Sequence, residues 1–220
     1  MCGRFAVFSS KEALEARFKA TVSDETSPHY NAAPSQKLPT ILNMNDEEIV
    51  NTKWGYLPHW AKPDGKIRPQ INARGETVDQ KPFFKTSFKS RRCLVLSDGF
   101  YEWDRKGPKK IPYFITTKDK EPFAMAGIWD TSQEDGREIN TFAIITTGAN
   151  KTVSQIHDRM PVILQRDEER DWLDQSLPLN AAKEMLTALP DGQIEMFPVS
   201  TRVNSIKNDD PELLAKSLDK

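Results

Sequence analysis

The strongest structural signal in this chain runs from residue 93 to residue 103 and reads Cys93-Leu94-Val95-Leu96-Ser97-Asp98-Gly99-Phe100-Tyr101-Glu102-Trp103. It is rich in the aliphatic and aromatic residues that pack well in sheets, so it predicts a β-strand. Three similar runs follow at Tyr113–Thr117, Phe123–Trp129 and Thr141–Thr147. Short turn sequences containing Gly, Pro and Asp separate these runs, and connections this short join antiparallel strands.

Less regular segments flank this β-rich centre. Predicted elements, in chain order, are a helix at Ser9–Ala20, strands at Thr40–Asn43 and Glu48–Trp54, helices at Asp167–Asp174 and Ala181–Leu189, a strand at Phe197–Ser200, and a short final helix beginning at Asp210-Pro211. Ser9 and Glu12 have the spacing of a capping box at the start of the first helix. Residues 55–92 have weak periodicity and predict a long loop with one short helix, and long loops inside compact domains usually serve function.

These patterns predict an α+β protein whose core is a curved, mainly antiparallel sheet or a barrel-like β structure, with peripheral helices. A chain of 220 residues fits one large domain. We place that single domain at residues 1–208 and assign residues 209–220 to a C-terminal helix or tail of the same domain.

Composition narrows the function classes. The net charge is −1, so no overall positive field attracts nucleic acid, and any polyanion must be bound by a local cluster of Arg and Lys. No segment approaches the roughly 18 apolar residues that predict a membrane span. Two cysteines, Cys2 and Cys93, suit a reducing compartment, and Cys93 lies in an apolar run typical of the core. We expect a monomeric cytoplasmic protein, associated with the nucleoid in a bacterium or located in the nucleus in a eukaryote.

The second residue is a cysteine, and only Met1 blocks its amine. Removal of Met1 would give Cys2 a primary amine and a thiol on adjacent carbons. This 1,2-aminothiol can condense with an aldehyde to an imine, and the thiol can then close a five-membered thiazolidine on the same carbon. The alternative is that Cys2 is simply a small residue near the terminus.

Three further residues have side chains suited to acid–base or orienting roles. His157 stands at a loop-to-strand junction beside Asp158 and Arg159, where it could transfer protons or serve only structure. Glu102 lies between two aromatic residues, and burial there would favour the protonated carboxyl, which could donate a proton; the alternative is a solvated residue on a half-buried strand. Asn72 could orient a reactant through hydrogen bonds or be a turn residue.

Arginines and aromatic residues lie near these candidates in the sequence. Arg4, Arg74 and Arg159 are each within two residues of a candidate, which suggests recognition of a multiply charged anion such as phosphate. Flat apolar side chains suited to base stacking are Trp54, Trp103, Tyr56 and Pro34. Core packing is the alternative role for each of them. No ligand spacing of the zinc type occurs, so we predict neither a metal site nor a cofactor.

Seven short segments together resemble the SRAP domain family (SOS-response-associated peptidase). They are Met1-Cys2-Gly3-Arg4-Phe5, Tyr30-Asn31-Ala32-Ala33-Pro34, Trp54-Gly55, Ile71-Asn72-Ala73-Arg74-Gly75-Glu76-Thr77, Asp98-Gly99-Phe100-Tyr101-Glu102-Trp103, Ile156-His157-Asp158-Arg159-Met160-Pro161 and Pro198-Val199-Ser200. The resemblance covers nearly the whole chain in the expected order. It also implies a barrel-like α+β fold.

The resemblance implies an enzyme that forms a covalent crosslink with abasic sites in single-stranded DNA and so prevents strand cleavage. By the same resemblance, Cys2 forms the crosslink, Asn72 orients it, Glu102 acts on the sugar, and His157 assists imine chemistry and reversal. The position of Cys2 after Met1 fits a thiazolidine product.

The resemblance also implies how DNA is held. Arg4, Arg74 and Arg159 match positions that contact phosphate, and Trp54 and Pro34 match a wedge that separates bases beside the lesion. Segments 104–110 and 209–220 contain no functional motif that we can assign.

Two other functions remain open at this point. One is an N-terminal-nucleophile cysteine hydrolase or peptidase, in which the Cys2 thiol attacks a carbonyl and the amine acts only as a base. The other is a non-catalytic module that binds single-stranded DNA without forming a bond.

Overall fold

A computed structural model describes residues 2–62 and 66–217. The predicted removal of Met1 and the end of the predicted tail, residues 218–220, lie outside the described residues. The strands are β1 (Phe5–Val7), β2 (Thr21–Val22), β3 (His29–Ala32), β4 (Lys37–Leu42), β5 (Asn45–Trp54), β6 (Asn72–Arg74), β7 (Arg92–Ser97), β8 (Gly99–Asp104), β9 (Ile111–Thr117), β10 (Phe123–Glu134), β11 (Arg137–Gly148), β12 (Arg159–Pro161) and β13 (Ile194–Pro198). The helices are α1 (Lys11–Phe18), α2 (Lys85–Ser90), α3 (Glu168–Leu173) and α4 (Leu179–Glu184).

The larger sheet closes on itself. Strands β11, β10, β7, β4 and β5 pair in that order, and β5 then pairs with β11, with Lys53 opposite Thr141 and Trp54 opposite Phe142. These five strands therefore form a barrel, because the first and last strands of the series are hydrogen-bonded. Most of the pairings are antiparallel, and β2–β5, β5–β11 and β6–β11 are parallel. The predicted α+β class and barrel-like core are confirmed.

A second sheet lies beside the barrel. Its strand order is β13-β9-β8-β1-β3, and every pairing in it is antiparallel. Strand β1 pairs with β8, with Phe5 opposite Phe100, and so holds the amino-terminal residues beside β8. Sequence patterns did not predict β1 or β3, because each is too short to show an alternating pattern.

The β-rich stretch quoted first is two strands rather than one. Its first half is β7 in the barrel, and its second half is β8 in the other sheet, with a bend at Asp98 between them. The Asp98 carboxylate accepts the backbone N–H groups of Phe8 at 2.6 Å and Ser9 at 2.9 Å, and also the Ser9 hydroxyl. A continuous apolar run does not show where a strand leaves one sheet for another, so the prediction of a single strand was wrong.

The first helix begins one residue later than its sequence pattern predicted. Ser10, rather than Ser9, is the N-cap, and its side chain accepts the N–H of Ala13 at 3.3 Å. The backbone N–H and the hydroxyl group of Ser9 both donate hydrogen bonds to the Asp98 carboxylate. Ser9 therefore does not form the predicted capping box with Glu12.

The C-terminal segment packs against the second sheet. The turn of 3-10 helix at Pro211–Leu214 has Asp210 as its N-cap, and Leu213 is completely buried in a cluster with Tyr101 and Phe114. The long segment 55–92 contains one short helix, α2, as predicted, and also the strand β6, which was not predicted. Among residues 2–62 and 66–217, no helix combines the length and apolar character that crossing a bilayer requires.

Gly99 gives the first testable prediction. A Cβ at this position would lie 2.1 Å from Cζ of Phe114, whose ring is buried beneath it. We expect Gly99→Ala to lower the free energy of unfolding by about 1–3 kcal/mol, because a rigid ring must move. Urea unfolding measures the change. The control is Gly107→Ala, where a Cβ meets nothing within 4 Å; equal stability of the two variants would contradict the prediction.

Candidate functional site

Four parts of the chain converge at one end of the second sheet. The residues before β1 pair along β8, since Tyr101 donates its N–H to the carbonyl of Arg4 at 2.9 Å. Strands β6 and β12 flank the end of β11, where Thr146 lies opposite both Arg74 and Pro161. Cys2, Glu102, Asn72 and His157, far apart in sequence, are therefore brought to one place.

Cys2 is buried there, with 1% of its surface exposed. Its sulfur lies 3.9 Å from the carbonyl oxygen of Arg4. Burial, together with the charge of the nearby Glu102 carboxylate, raises the pKa of the Cys2 thiol to about 12. The thiol is therefore neutral at pH 7 in this environment and is a poor direct nucleophile, because the reactive form of cysteine is the thiolate.

Asn72 holds the backbone of Cys2. Its side-chain amide nitrogen donates to the carbonyl oxygen of Cys2 at 2.8 Å. The other side-chain atom, Oδ1, is buried and has no hydrogen-bond partner among the described residues. A buried acceptor without a donor costs free energy, so this oxygen is available for an N–H group arriving near Cys2.

Glu102 and His157 form the titratable pair of the site. Nε2 of His157 lies 4.0 Å from Oε1 of Glu102, and Glu102 is 2% exposed. The same carboxylate oxygen accepts the backbone N–H of Trp103 at 3.2 Å. The separation is slightly longer than a hydrogen bond, so a small movement or an intervening atom would connect the two side chains.

Backbone and carboxylate groups surround Nδ1 of His157. The N–H of Arg159 lies 3.0 Å from Nδ1, and the carbonyl oxygen of Arg159 lies 3.3 Å from it. The exposed Asp158 carboxylate lies 3.1 Å from the same nitrogen. These contacts hold the ring with Nε2 on the side of Glu102.

Arg4 is anchored within the protein. Its guanidinium donates to Oδ1 of Asn31 at 2.7 Å and to the carbonyl of Val203 at 2.9 Å. Asn31, which is 1% exposed, also donates to the carbonyls of Val203, Ser205 and Asn208. The Asn31 amide therefore joins β3 to the C-terminal segment and fixes Arg4 beside Cys2.

Arg159 is paired, whereas Arg74 is exposed. The two terminal nitrogens of Arg159 bind both carboxylate oxygens of Glu76, and one of them also donates to the Thr146 carbonyl at 2.7 Å. The hydrogen bond from Arg159 holds the pKa of Glu76 below its ordinary value. A phosphate would have to share or displace this half-exposed carboxylate, while Arg74 presents its side chain to solvent.

Trp54 is a core residue, which corrects its assignment as a DNA wedge. It is completely buried, it stacks on Phe142 with the ring centroids 6.3 Å apart, and its indole N–H donates to the Ile71 carbonyl at 3.0 Å. Its ring has no surface to offer a base. A tryptophan next to Gly55 in the sequence fits either role, and only packing distinguishes them.

Pro34 and Trp103 keep partly exposed surfaces. Pro34 precedes Ser35, whose φ of 74° forms a tight turn, and the Ser35 N–H donates to the Trp54 carbonyl at 2.7 Å. Trp103 follows Glu102 directly and donates its indole N–H to Asn204 at 2.7 Å. Both side chains are partly accessible from solvent. Tyr56, in contrast, is buried and donates to or accepts from Ser87 at 2.9 Å.

Trp60 is the aromatic residue that the sequence analysis missed. It is 50% exposed and lies on the segment that leads from β5 to Asn72, with its ring edge-on to Phe83. The sequence signal that could have identified Trp60 is the group of cations after it, because Lys62, Lys66 and Arg68 follow within eight residues. An exposed tryptophan beside cations is typical of a nucleic-acid contact.

No group of three or more His, Cys, Asp or Glu side chains suited to hold a metal occurs in the part of the chain that the structure describes. Cys2 and Cys93 are both free thiols, and Cys93 is fully buried, as predicted for a core residue.

Known proteins are similar to this chain in sequence and in fold. Residues 1–206 match the family described as SOS response associated peptidase (SRAP). The abasic site processing protein YoqW of Bacillus subtilis (strain 168) is 39% identical in an alignment of 224 residues, gaps included, that covers 97% of this chain and 99% of that protein. The abasic site processing protein YedK of Escherichia coli (strain K12) is 35% identical in an alignment of 225 residues, gaps included, that covers 97% of this chain and 99% of that protein. A crystal structure of a protein from Bacteroides thetaiotaomicron superimposes with a TM-score of 0.90 at 29% identity, covering 99% of this chain and 100% of that one.

The Asn31 network gives a second prediction. Asn31→Ala removes one acceptor for Arg4 and one donor shared by three carbonyls. We expect the free energy of unfolding to fall by about 2–4 kcal/mol, because buried partners lose their hydrogen bonds. Chemical denaturation measures it. Asn204→Ala, at an exposed residue that accepts one bond from Trp103, is the control and should cost less than about 1 kcal/mol. Similar losses for both variants would contradict the role of Asn31.

Proposed function

Because this chain belongs to the SOS response associated peptidase (SRAP) family, we propose that it processes abasic sites in single-stranded DNA by a covalent crosslink through Cys2. The relatives named as abasic site processing proteins support the substrate. The observation that carries the proposal is the Asn72–Cys2 hydrogen bond of 2.8 Å beside the Glu102–His157 pair. It places the amino-terminal cysteine among groups that can move protons.

The environment of Cys2 favours reaction through the amine first. A thiol with a pKa of about 12 is protonated at pH 7, whereas a free α-amine is in part neutral. After loss of Met1, the amine would lie near the unpartnered Oδ1 of Asn72, which can accept one of its N–H bonds. That hydrogen bond would direct the nitrogen lone pair toward the sugar.

The reaction begins with opening of the sugar ring. An abasic deoxyribose exists mainly as a closed hemiacetal, so a proton must reach the ring oxygen before the C1′ aldehyde forms. Glu102, which is buried and lies 4.0 Å from Nε2 of His157, would donate this proton. His157, whose Nε2 lies 4.0 Å from Oε1 of Glu102, would exchange protons with the carboxyl group.

Two bonds then form at C1′. The amine attacks the aldehyde carbon, and loss of one water molecule gives an imine. The sulfur next adds to the imine carbon, while the thiol proton moves to the nitrogen, which closes the thiazolidine. The net change is the loss of one water per crosslink. Because the aldehyde is consumed, β-elimination and strand cleavage are suppressed.

A small set of residues would hold the DNA. Exposed Arg74 would bind a phosphate directly, while Arg4 and Arg159 would contribute through donors that remain beside Asn31 and Glu76. Exposed Trp60 and the partly exposed rings of Trp103 and Pro34 would stack against bases. A few phosphate contacts need no strongly basic surface, which agrees with the net charge of −1.

The hydrolase alternative requires a Cys2 thiol with a lower pKa. A cysteine nucleophile that attacks an amide carbonyl needs a lowered pKa, and burial raises the pKa of the Cys2 thiol to about 12. This observation favours imine chemistry over a peptidase in which sulfur attacks first. The non-catalytic binding module differs by the absence of any covalent product.

Cys2→Ser gives the third prediction. Serine keeps the amine but cannot form a thiazolidine, so we expect its adduct with an abasic oligonucleotide to be lost on heating while the wild-type adduct survives. Denaturing gels after incubation measure this, and mass spectrometry confirms that Met1 is absent from both proteins. Equally heat-stable adducts would refute thiazolidine formation. A wild-type protein that gives no shifted band would support the binding module instead.

Glu102→Gln gives the fourth prediction. Glutamine keeps the shape and accepts the Trp103 N–H but cannot donate the acid proton, so we expect crosslinking to slow by about 100-fold. Affinity for undamaged single-stranded DNA should stay within a factor of two or so, as measured by fluorescence anisotropy. Glu121→Gln, at an exposed residue on the β9–β10 connection, is the matched control. Equal losses in rate and affinity would indicate that Glu102 is structural.

A further inference from the structure

The connection between β8 and β9 concentrates positive charge. It contains Arg105, Lys106, Lys109 and Lys110 around Gly107-Pro108, and residues 105–110 are all exposed. The carboxylate of Asp104, the last residue of β8, directly precedes them. We call residues 104–110 the basic loop. These four cations lie within six residues of a chain whose net charge is −1. The remainder of the chain is therefore net negative, and the loop differs from it in the sign of its charge.

Three cations of the basic loop have no carboxylate partner. Within residues 2–62 and 66–217, no carboxylate forms an ion pair with Arg105, Lys109 or Lys110. Some other surface cations do lie beside carboxylates, as in Lys53–Glu134, Lys120–Glu195, Arg166–Asp119, Arg170–Asp46, Lys183–Asp79 and Arg202–Asp210. A cluster of cations without carboxylate partners keeps its full attraction for an external anion.

The structure holds the basic loop beside the candidate site. Lys106 donates to the carbonyl oxygens of Ser154 at 3.2 Å and Gln155 at 2.6 Å, just before His157. Asp104 accepts the N–H of Lys106 at 2.9 Å, which tightens the turn. At about 3.3 Å per residue, the backbone of Lys106 lies no more than about 13 Å from Glu102. A strand bound at Glu102 could reach this loop within a few nucleotides.

A cleft at the base of the basic loop adds hydrogen-bonding groups. It has a volume of about 210 Å³ and is lined by Lys109 and Lys110 together with Ser200 and Thr201. Ammonium and hydroxyl groups together suit phosphate oxygens, which accept several hydrogen bonds at once. This chemistry selects the sugar–phosphate backbone rather than a base edge.

We infer that the basic loop binds backbone phosphates of the single-stranded DNA that flanks the reacting nucleotide, with Lys109 and Lys110 as the principal contacts. Lys106 has a positioning role, since its ammonium group is bound to the main chain that precedes His157. The inference rests on the proposed function for the identity of the strand. The charge cluster itself does not depend on the chemistry at Cys2.

The test measures how affinity depends on salt. Fluorescence anisotropy would give the affinity of Lys109→Gln/Lys110→Gln for an undamaged single-stranded oligonucleotide across a salt series. We expect the slope of log affinity against log salt to become shallower by about 1.4, since each lost phosphate contact contributes about 0.7. The affinity gap between wild type and variant should therefore narrow about sevenfold between roughly 50 and 200 mM salt.

The control variant carries the same change in charge at other places. Lys11→Gln/Lys118→Gln alters exposed lysines at the start of α1 and at the opposite end of β9 from the basic loop, and its salt slope should match the wild type. Equal slopes for the wild type and the Lys109/Lys110 variant would overturn the inference, as would an equal change in the control.

Crosslinking of wild-type protein to an abasic oligonucleotide, measured in parallel, separates the two proposals. A wild-type crosslink together with an unchanged variant slope would reject only the basic loop as a phosphate site. A shallower variant slope without a wild-type crosslink would reject only the chemistry proposed for Cys2.

Discussion

The bend at Asp98 is the constraint on which the rest of the arrangement depends. A carboxylate with 6% exposure is stabilised there by two backbone N–H groups and one hydroxyl from the segment Phe8–Ser9. Gly99 then lets the chain pass directly over the Phe114 ring. The chain thereby leaves the barrel after β7 and enters the second sheet as β8. Because β8 pairs with β1, Glu102 is delivered to the amino terminus, and loss of the bend would separate them.

The site is assembled from polar groups that the protein has already desolvated. Asn72 binds the Cys2 carbonyl, Asn31 binds Arg4, and Glu76 binds Arg159, so most reactive or charged groups have an internal partner. Pre-formed hydrogen bonds reduce the reorganisation that a reaction needs. In the proposed function, DNA would have to compete for the arginines, and exposed cations such as Arg74 would provide much of the initial attraction.

Sequence reasoning identified the residues of the candidate site more successfully than it predicted their burial and contacts. Cys2, Asn72, Glu102 and His157 were selected by residue type and motif, and the structure places them together. The same reasoning failed for Trp54, because a tryptophan motif is identical whether the ring is buried or exposed. It missed Trp60 for the same reason. It also predicted one strand at Cys93–Trp103, since apolar character continues across a bend that is held by hydrogen bonds from distant Phe8 and Ser9.

The sequence by itself determined the α+β class, the antiparallel connections and the reactions open to a cysteine that follows Met1. These properties follow from local pattern and residue type. Only the tertiary structure decided which arginines are paired and which tryptophan reaches solvent. It also decided that the barrel closes by the pairing of β5 with β11. Those features depend on contacts between residues as far apart as Arg4 and Val203. Such contacts are set by the packing of the whole chain, and no local window of sequence contains them.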